Sequence, residues 1–537
     1  MPFAGKTGKQ TLRRFDEPGR SPVYATNAAA ATSHPLATQT AMTILREGGN
    51  AVDAAIAAAA TLCVVEPHMT GIGGDCFAIV CEPDGPLHGL NGSGRAAQGA
   101  DLGWYLENGF SEIPGDSIHS VTVPGAVRAW EALHGRFGSM DFTRLFADAV
   151  QYGREGYPVA PRVAHDWATL VPKLSSNEGG LLHCLKDGRA PVAGQMMAAP
   201  ALADVLAGIA AKGSPAFYEG EVAADIARTV QEHGGFITEA DIAATKPDWV
   251  DPVSTRFMSR DVFEIPPNGQ GIIALVLMRM LERLGIPEGA ASGERLHLEL
   301  EAGRIAYAVR DAHVADPAHM SMTAEDLLTD AHIEALCGQY DPAMRNDAIR
   351  LPDMPDADTV YLSVVDRERR CVSFINSLYG GFGCGIVTPK TGIALQNRGS
   401  CFVVKEGHPN AIGPGKRSMH TIIPGMAMKD GLPEVCFGVM GGSYQAMGHA
   451  HVLANMFRYG MDPQEALDDP RLFWDDAGNA TAEPGLADGA VEYLQGRGHR
   501  IVSGGPFGGG QIIRIDNEQG VLVAASDPRK DGHAAGF

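Results

Sequence analysis

No stretch of this sequence is apolar for long enough to cross a bilayer. The longest runs, such as Ala54 to Val65, cover about a dozen residues where a spanning helix needs ~18–20. The polar start Met-Pro-Phe-Ala-Gly-Lys has no apolar run behind it leading to a small-residue cleavage site, so no secretion signal is read there. Positive charge is in short supply: 43 Lys and Arg stand against 64 Asp and Glu, a formal charge of −21. So acidic a surface repels phosphate backbones and anionic lipid, which argues against nucleic-acid and membrane partners. Cysteine is odd in number and unpaired in spacing. The nine, at positions 63, 76, 81, 184, 337, 371, 384, 401 and 436, include no C-x-x-C and argue against a disulfide framework or structural zinc. They are expected to be small buried hydrophobes in a cytoplasmic protein. Also missing are a G-x-S-x-G elbow, an H-E-x-x-H metal helix and a P-loop lysine.

What is present is ordinary globular composition, 45% hydrophobic and 20% charged, with 66 glycines that point to many tight turns. At 537 residues, one large domain with insertions and two halves sharing an interface both stay open. Ser33 before Pro35 reads as the N-cap of a helix to about Glu47, stopped by Gly48-Gly49. Asn50 caps a second, alanine-rich helix to about Val65, apolar nearly all round and so buried. A glycine turn at 71–75 enters the strand Cys76–Val80. Residues from about 120 to 340 read as mostly helical, with Val222, Ile226 and Val230 on one face and a strongly apolar helix from Ile272 to Leu284. Pro342, Pro352 and Pro355 among Asp353, Asp356 and Asp358 make an exposed loop over 340–358. A strand pair follows, Thr359–Asp366 and Cys371–Ile375, and the remainder is strand-rich with one helix over 444–459.

The glycine cluster 380–385 has no helix after it and does not read as a dinucleotide loop. His449 and His451 point to different helix faces, a poor metal spacing. Thr359, at a loop-to-strand junction, is the more promising residue. A threonine hydroxyl needs an adjacent base, and cutting the Asp358–Thr359 bond would free an α-amine with a reference pKa near ~7.7–8 on the same residue. Taken alone, a threonine opening a strand is ordinary β-structure. The apolar strand Cys436–Met440 ends in Gly441-Gly442-Ser443 before a helix, so these amides suit an oxyanion, or simply a tight turn. Arg95, in Asn91-Gly-Ser-Gly94-Arg95, suits a carboxylate.

These residues resemble the γ-glutamyltranspeptidase family of N-terminal-nucleophile hydrolases over nearly the whole chain. The motifs are Glu47-Gly-Gly-Asn-Ala-Val-Asp-Ala-Ala55, Gly71-x-Gly-Gly74, Arg95 in its turn and Val123-Pro-Gly-Ala-Val127. They continue with Asp358-Thr-Val-Tyr-Leu-Ser-Val-Val-Asp366, Gly441-Gly442, Asp469-Pro-Arg471 and Ser526-Asp-Pro-Arg529. The resemblance implies an α+β fold, a four-layer αββα sandwich. It also implies self-cleavage before Thr359 into a large subunit of residues 1–358 and a small one of 359–537. It makes Thr359 the nucleophile, Ser377 a supporting hydroxyl, Gly441 and Gly442 the oxyanion hole, and Arg95 the carboxylate grip. No metal or other cofactor is implied. Oligomeric state stays open, a dimer of heterodimers included.

Where glutathione-processing members carry Asn, Gln and Asp, this chain has Tyr379, Arg398 and Cys401; their paired serines become His420 and Thr421. The groups that recognise an α-ammonium are lost and Arg398 adds positive charge, which favours a carboxylated acyl group without an amine. The segments Leu378–Gly383, Gln396–Gly399 and His420–Pro424 resemble the branch that includes oxamate amidohydrolases. The expected substrate is a small carboxylated amide, bound by Arg95, Tyr379, Arg398, His420 and Thr421. A γ-glutamyl or glutathione hydrolase or transpeptidase, a glutaryl-type (cephalosporin) acylase, and a silent carboxylate binder are the rival readings.

Overall fold

The Asn50 side chain fixes where the most apolar helix begins. It accepts from the N–H groups of Val52 and Asp53, and the Asp53 carboxylate accepts from the Asn50 N–H, a reciprocal capping box. The helix that follows, Ala51–Val65, is buried along its whole length. The helix before it, Pro35–Arg46, corrects the expected cap by one residue. Pro35 occupies the first helical position, so the extended residue ahead of it, His34, is the N-cap and accepts from the Leu36 N–H; Ser33 turns to Glu66 instead.

The computed structural model describes residues 19–83, 85–349 and 358–537. Two antiparallel sheets of seven strands form its centre. The first runs Val23–Ala25, Val521–Ser526, Gly509–Asp516, Leu432–Met440, Gly425–Lys429, Arg260–Glu264, Val253–Phe257. The second runs His533–Gly536, Ala29–Thr32, Asp358–Val365, Cys371–Tyr379, Asp75–Cys81, Leu87–Gly92, Asp248–Val250. The sheets face each other where Ser363 donates to the Cys436 and Gln511 carbonyls and Ser373 to that of Phe437. Gly438 lets them close: a Cβ there would lie 2.4 Å from the Tyr361 ring.

Ala51–Val65 and Ala126–Phe137 cover the outer face of the second sheet, Gly271–Leu284 and Tyr444–Phe457 that of the first. The order helix, sheet, sheet, helix is the four-layer αββα sandwich expected, with one large apolar core under each helical layer. Each sheet takes strands from both sides of the Asp358–Thr359 bond.

The region 120–340 is mostly helical, interrupted by the two-residue strand pair Tyr157–Pro158 and Met196–Met197 and by Asp248–Val250, Val253–Phe257 and Arg260–Glu264. The hairpin between the last two turns on Met258 and Ser259, both at positive φ (47° and 66°) without a glycine to advertise it. Beyond Phe457 two further helices, Pro463–Asp468 and Asp488–Gly496, join the one expected. Of the proline-rich loop, 350–357 lies outside the described residues. All nine cysteines are free, and all but the half-buried Cys401 are buried. Among the described residues no helix is long and apolar enough to cross a membrane.

Candidate active site

The ladder between Asp358–Val365 and Cys371–Tyr379 is irregular at one place. Asp358 pairs with Tyr379 but Val360 with Asn376, so Thr359 alone stands opposite Ser377 and Leu378. Such a bulge re-aims a side chain. Here it brings Thr359 Oγ1 to 3.0 Å from Ser377 Oγ. Thr359 itself is buried yet lines a cleft of about 650 Å³ that opens beside it.

Ser377 Oγ accepts from the Tyr379 N–H at 2.9 Å and from the Arg398 guanidinium at 3.2 Å. With both lone pairs engaged, its own hydrogen is what the serine can offer to Thr359 Oγ1. Arg398 also donates to Thr421 Oγ1 at 2.7 Å and lies 4.2 Å over the Tyr379 ring. Tyr379 is held at φ 78°, a conformation non-glycine residues adopt at a cost of roughly 1–3 kcal/mol. Burial raises its phenol well above the ordinary range, so it stays neutral. Arg398 is 1% exposed, and among the described residues no carboxylate pairs with it. Ser377, Tyr379, Arg398 and Thr421 thus converge on one side of Thr359.

The strand Leu432–Met440 ends in Gly441 (φ 116°) and Gly442 (φ 53°), ahead of the helix Tyr444–Phe457, and Gly441 lines the same cleft as Thr359. Neither glycine N–H has an acceptor among the described residues. A Cβ on Gly441 would lie 2.6 Å from Gly508 Cα, so the turn admits only glycine. Gln270 braces it, donating to the carbonyls of Gly442 (3.0 Å) and Thr421 (2.8 Å), and Arg310 bonds both Gln270 and Ser443. Sequence reasoning missed Gln270; its signal was the turn Pro266–Gly271 opening the apolar helix.

His420 does not present a free ring nitrogen. Its Nε2 meets Asp75 Oδ2 at 3.1 Å and its Nδ1 accepts from the Ile422 N–H. Burial, with Arg398 adding to it, lowers its pKa to about 3, so the ring is neutral and donates to Asp75. Asp75, also missed, takes further bonds on Oδ1 from Gly94 N–H, Gly125 N–H and Gln396. One buried carboxylate, set just after Gly71–Gly74, thereby ties together the glycine turns at 94 and 125 and two loops that follow Thr359.

Arg95 is placed apart from this group. It lines a different cavity, sharing no lining residue with the Thr359 cleft, and its guanidinium meets Asp316 (3.3 Å), Asp248 (3.7 Å) and the Gly415 carbonyl (3.0 Å). The carboxylate grip expected of it is therefore occupied by the protein's own acids. His449 and His451 bond Glu264 and Glu299 on different elements, and no cluster able to hold a metal occurs among the described residues.

The Gamma-glutamyltranspeptidase family profile matches residues 37–537. The chain is 34% identical over 528 residues to the "Glutathione hydrolase-like YwrD proenzyme" of Bacillus subtilis (strain 168), covering 96% of this chain and 99% of that one. It is 34% identical over 533 residues to the "Oxamate amidohydrolase proenzyme" of Klebsiella pneumoniae, covering 95% and 99%. Among solved structures, cephalosporin acylase from Bacillus halodurans superposes with a TM-score of 0.91 at 38% identity, covering 100% of this chain and 99% of that one. An αββα sandwich, matched end to end by proenzymes of amide-cleaving enzymes, places this chain in the γ-glutamyltranspeptidase family as an N-terminal-nucleophile hydrolase acting on amide bonds.

Proposed function

We propose that the Asp358–Thr359 bond is cut by the chain itself, giving subunits 1–358 and 359–537, and that Thr359 then hydrolyses a small carboxylate-bearing amide of the oxamate type. The observation that carries the substrate reading is Arg398, a buried guanidinium without a carboxylate of its own beside the nucleophile's serine partner. A buried unpaired charge is costly, and a substrate carboxylate relieves that cost with charge-assisted hydrogen bonds. The kinship with an oxamate amidohydrolase proenzyme supports the same choice.

In this mechanism the freed α-amine takes the proton from Thr359 Oγ1, which attacks the amide carbonyl. The N–H groups of Gly441 and Gly442 receive the oxyanion. The amine returns the proton to the departing nitrogen, and water then cleaves the threonyl ester to release the acid. These steps require no metal or organic cofactor. The reading places the enzyme in the cytoplasm, which its unpaired cysteines support.

Denaturing electrophoresis of purified protein should show two fragments divided at Thr359. They should co-elute under native conditions, because both sheets mix strands from the two sides. Thr359→Ala should remain one uncut, inactive chain. Steady-state rates with oxamate, a glutaryl amide and a γ-glutamyl anilide decide the acyl group. Preference for the γ-glutamyl compound overturns the assignment of Arg398.

A further inference from the structure

The cleft beside Thr359 is far larger than a small carboxylated amide requires, and its walls differ in chemistry. One wall is aromatic: Tyr444, Phe473, Trp474 and Phe507 form a continuous cluster, with Phe473 and Trp474 stacked at 4.2 Å and Tyr444 and Phe507 at 5.8 Å. The lining also carries Asp475 and Asp476 next to Trp474, and Arg162 and Lys530, which share one carboxylate: Asp166 accepts from Arg162 at 2.8 Å and lies 3.7 Å from Lys530.

The aromatic wall is built rigidly onto the oxyanion turn. Gly508, the neighbour of Phe507, packs backbone to backbone on Gly441. The Phe507 N–H donates to Glu483 at 2.8 Å and its carbonyl accepts from Arg471 at 2.6 Å. Arg471 in turn is buried against Asp527. The two Asp-Pro-Arg motifs of the sequence thus serve to hold this loop: Arg471 directly, and Arg529 through its bonds to Glu483.

The direction of the reaction follows from this arrangement, and it rests on the function proposed above. A carbonyl carbon attacked by Thr359 has two substituents. Ser377, Tyr379, Arg398 and Thr421, proposed above to take the acyl group, do not line the cleft. The amine must then leave into the cleft, along the aromatic wall. We propose that this wall is a leaving-group subsite for an aromatic amine, and that the substrates are N-aryl or N-arylalkyl amides of a small carboxylic acid. In the reaction the C–N bond breaks, the arylamine departs with the proton returned by the Thr359 amine, and water completes hydrolysis.

The test uses the processed enzyme and whichever acyl group it accepts best among oxalyl, glutaryl and γ-glutamyl, so that a wrong acyl assignment does not decide it. Each acyl group is supplied as the free amide and as the 2-naphthylamide. The naphthylamide should show at least a tenfold lower KM, and 2-naphthylamine should compete with substrate where butylamine at equal concentration does not. Phe507→Ala, checked for complete processing, should reduce the naphthylamide-to-amide ratio of kcat/KM about tenfold, and Phe507→Leu by less. Equal KM for the two substrates, no competition by the arylamine, or an unchanged ratio in processed Phe507→Ala overturns the subsite. If Phe507→Ala is not processed, the comparison of KM values and the competition by 2-naphthylamine in the unaltered enzyme decide.

Discussion

At the scale of single residues, the positive charge of Arg398 acts on protons as well as on anions. It reaches Ser377, which in turn meets Thr359 Oγ1. In the processed enzyme proposed above, a cation this close would disfavour the protonated α-amine of Thr359. Replacing Arg398 by Gln should therefore move the acid limb of the kcat–pH profile upward. It should also raise KM for a carboxylated amide about tenfold or more, since a hydrogen bond to a charged group contributes ~1.5–3 kcal/mol. A profile that stays in place with KM unchanged removes Arg398 from the site. The identity of Arg398 was legible in the chain; its lack of an acidic partner was not, because that depends on every neighbour the fold brings near. Arg95 illustrates the converse. Its glycine turn stands as expected, yet Asp316 and Asp248, more than 150 residues away, take up the charge.

Secondary-structure elements were readable wherever local chemistry alone specifies them. Asn50 and Asp53 cap the helix Ala51–Val65 whatever packs around it, and the glycines at 441–442 end a strand because only they tolerate the turn. Asn50→Ala should cost about 1 kcal/mol, the usual loss for an N-cap. Its Nδ2 also donates to the Phe137 carbonyl, so a value toward ~2 kcal/mol is expected. Denaturant titration of the two proteins would show it as a lower midpoint with an unchanged slope. The short strands at 248–264 escaped the reading. Their residues alternate too briefly to signal a period, and sheet pairing with Gly425–Lys429 and with Leu87–Gly92 makes them strands.

Across the whole molecule, buried neutral histidines contribute a loss of stability in mild acid. Burial lowers His499 to about 3, helped by His297, Arg304, Arg345 and Arg497; His420 lies at about 3 and His34 at about 4. Unfolding returns each to ~6.5, so the unfolded chain binds more protons between these values and stability falls as pH drops below about 6.5. Thermal midpoints recorded from pH 7.5 to 5 should decline, and the decline should be shallower in His499→Gln. An identical slope in the variant would deny His499 its part. The mixing of strands from both sides of Thr359 has a consequence at the same scale. Cutting that bond, as proposed, would free an amine without dividing either sheet, so the hydrolase would keep its core while gaining its base.

By itself the sequence determined the family and, through that resemblance, the αββα architecture, and it singled out Thr359 and its neighbours Ser377, Tyr379, Arg398 and Thr421 but neither Gln270 nor Asp75, because caps, glycine turns and ordered motifs are local and specific. Only the tertiary structure decided that Arg398 is buried without a carboxylate partner among the described residues, that His420 is neutral and turned to Asp75, and that four aromatic rings line the cleft beside Thr359. The reason is that burial and pairing are properties of neighbours distant in the chain, and no single segment carries them.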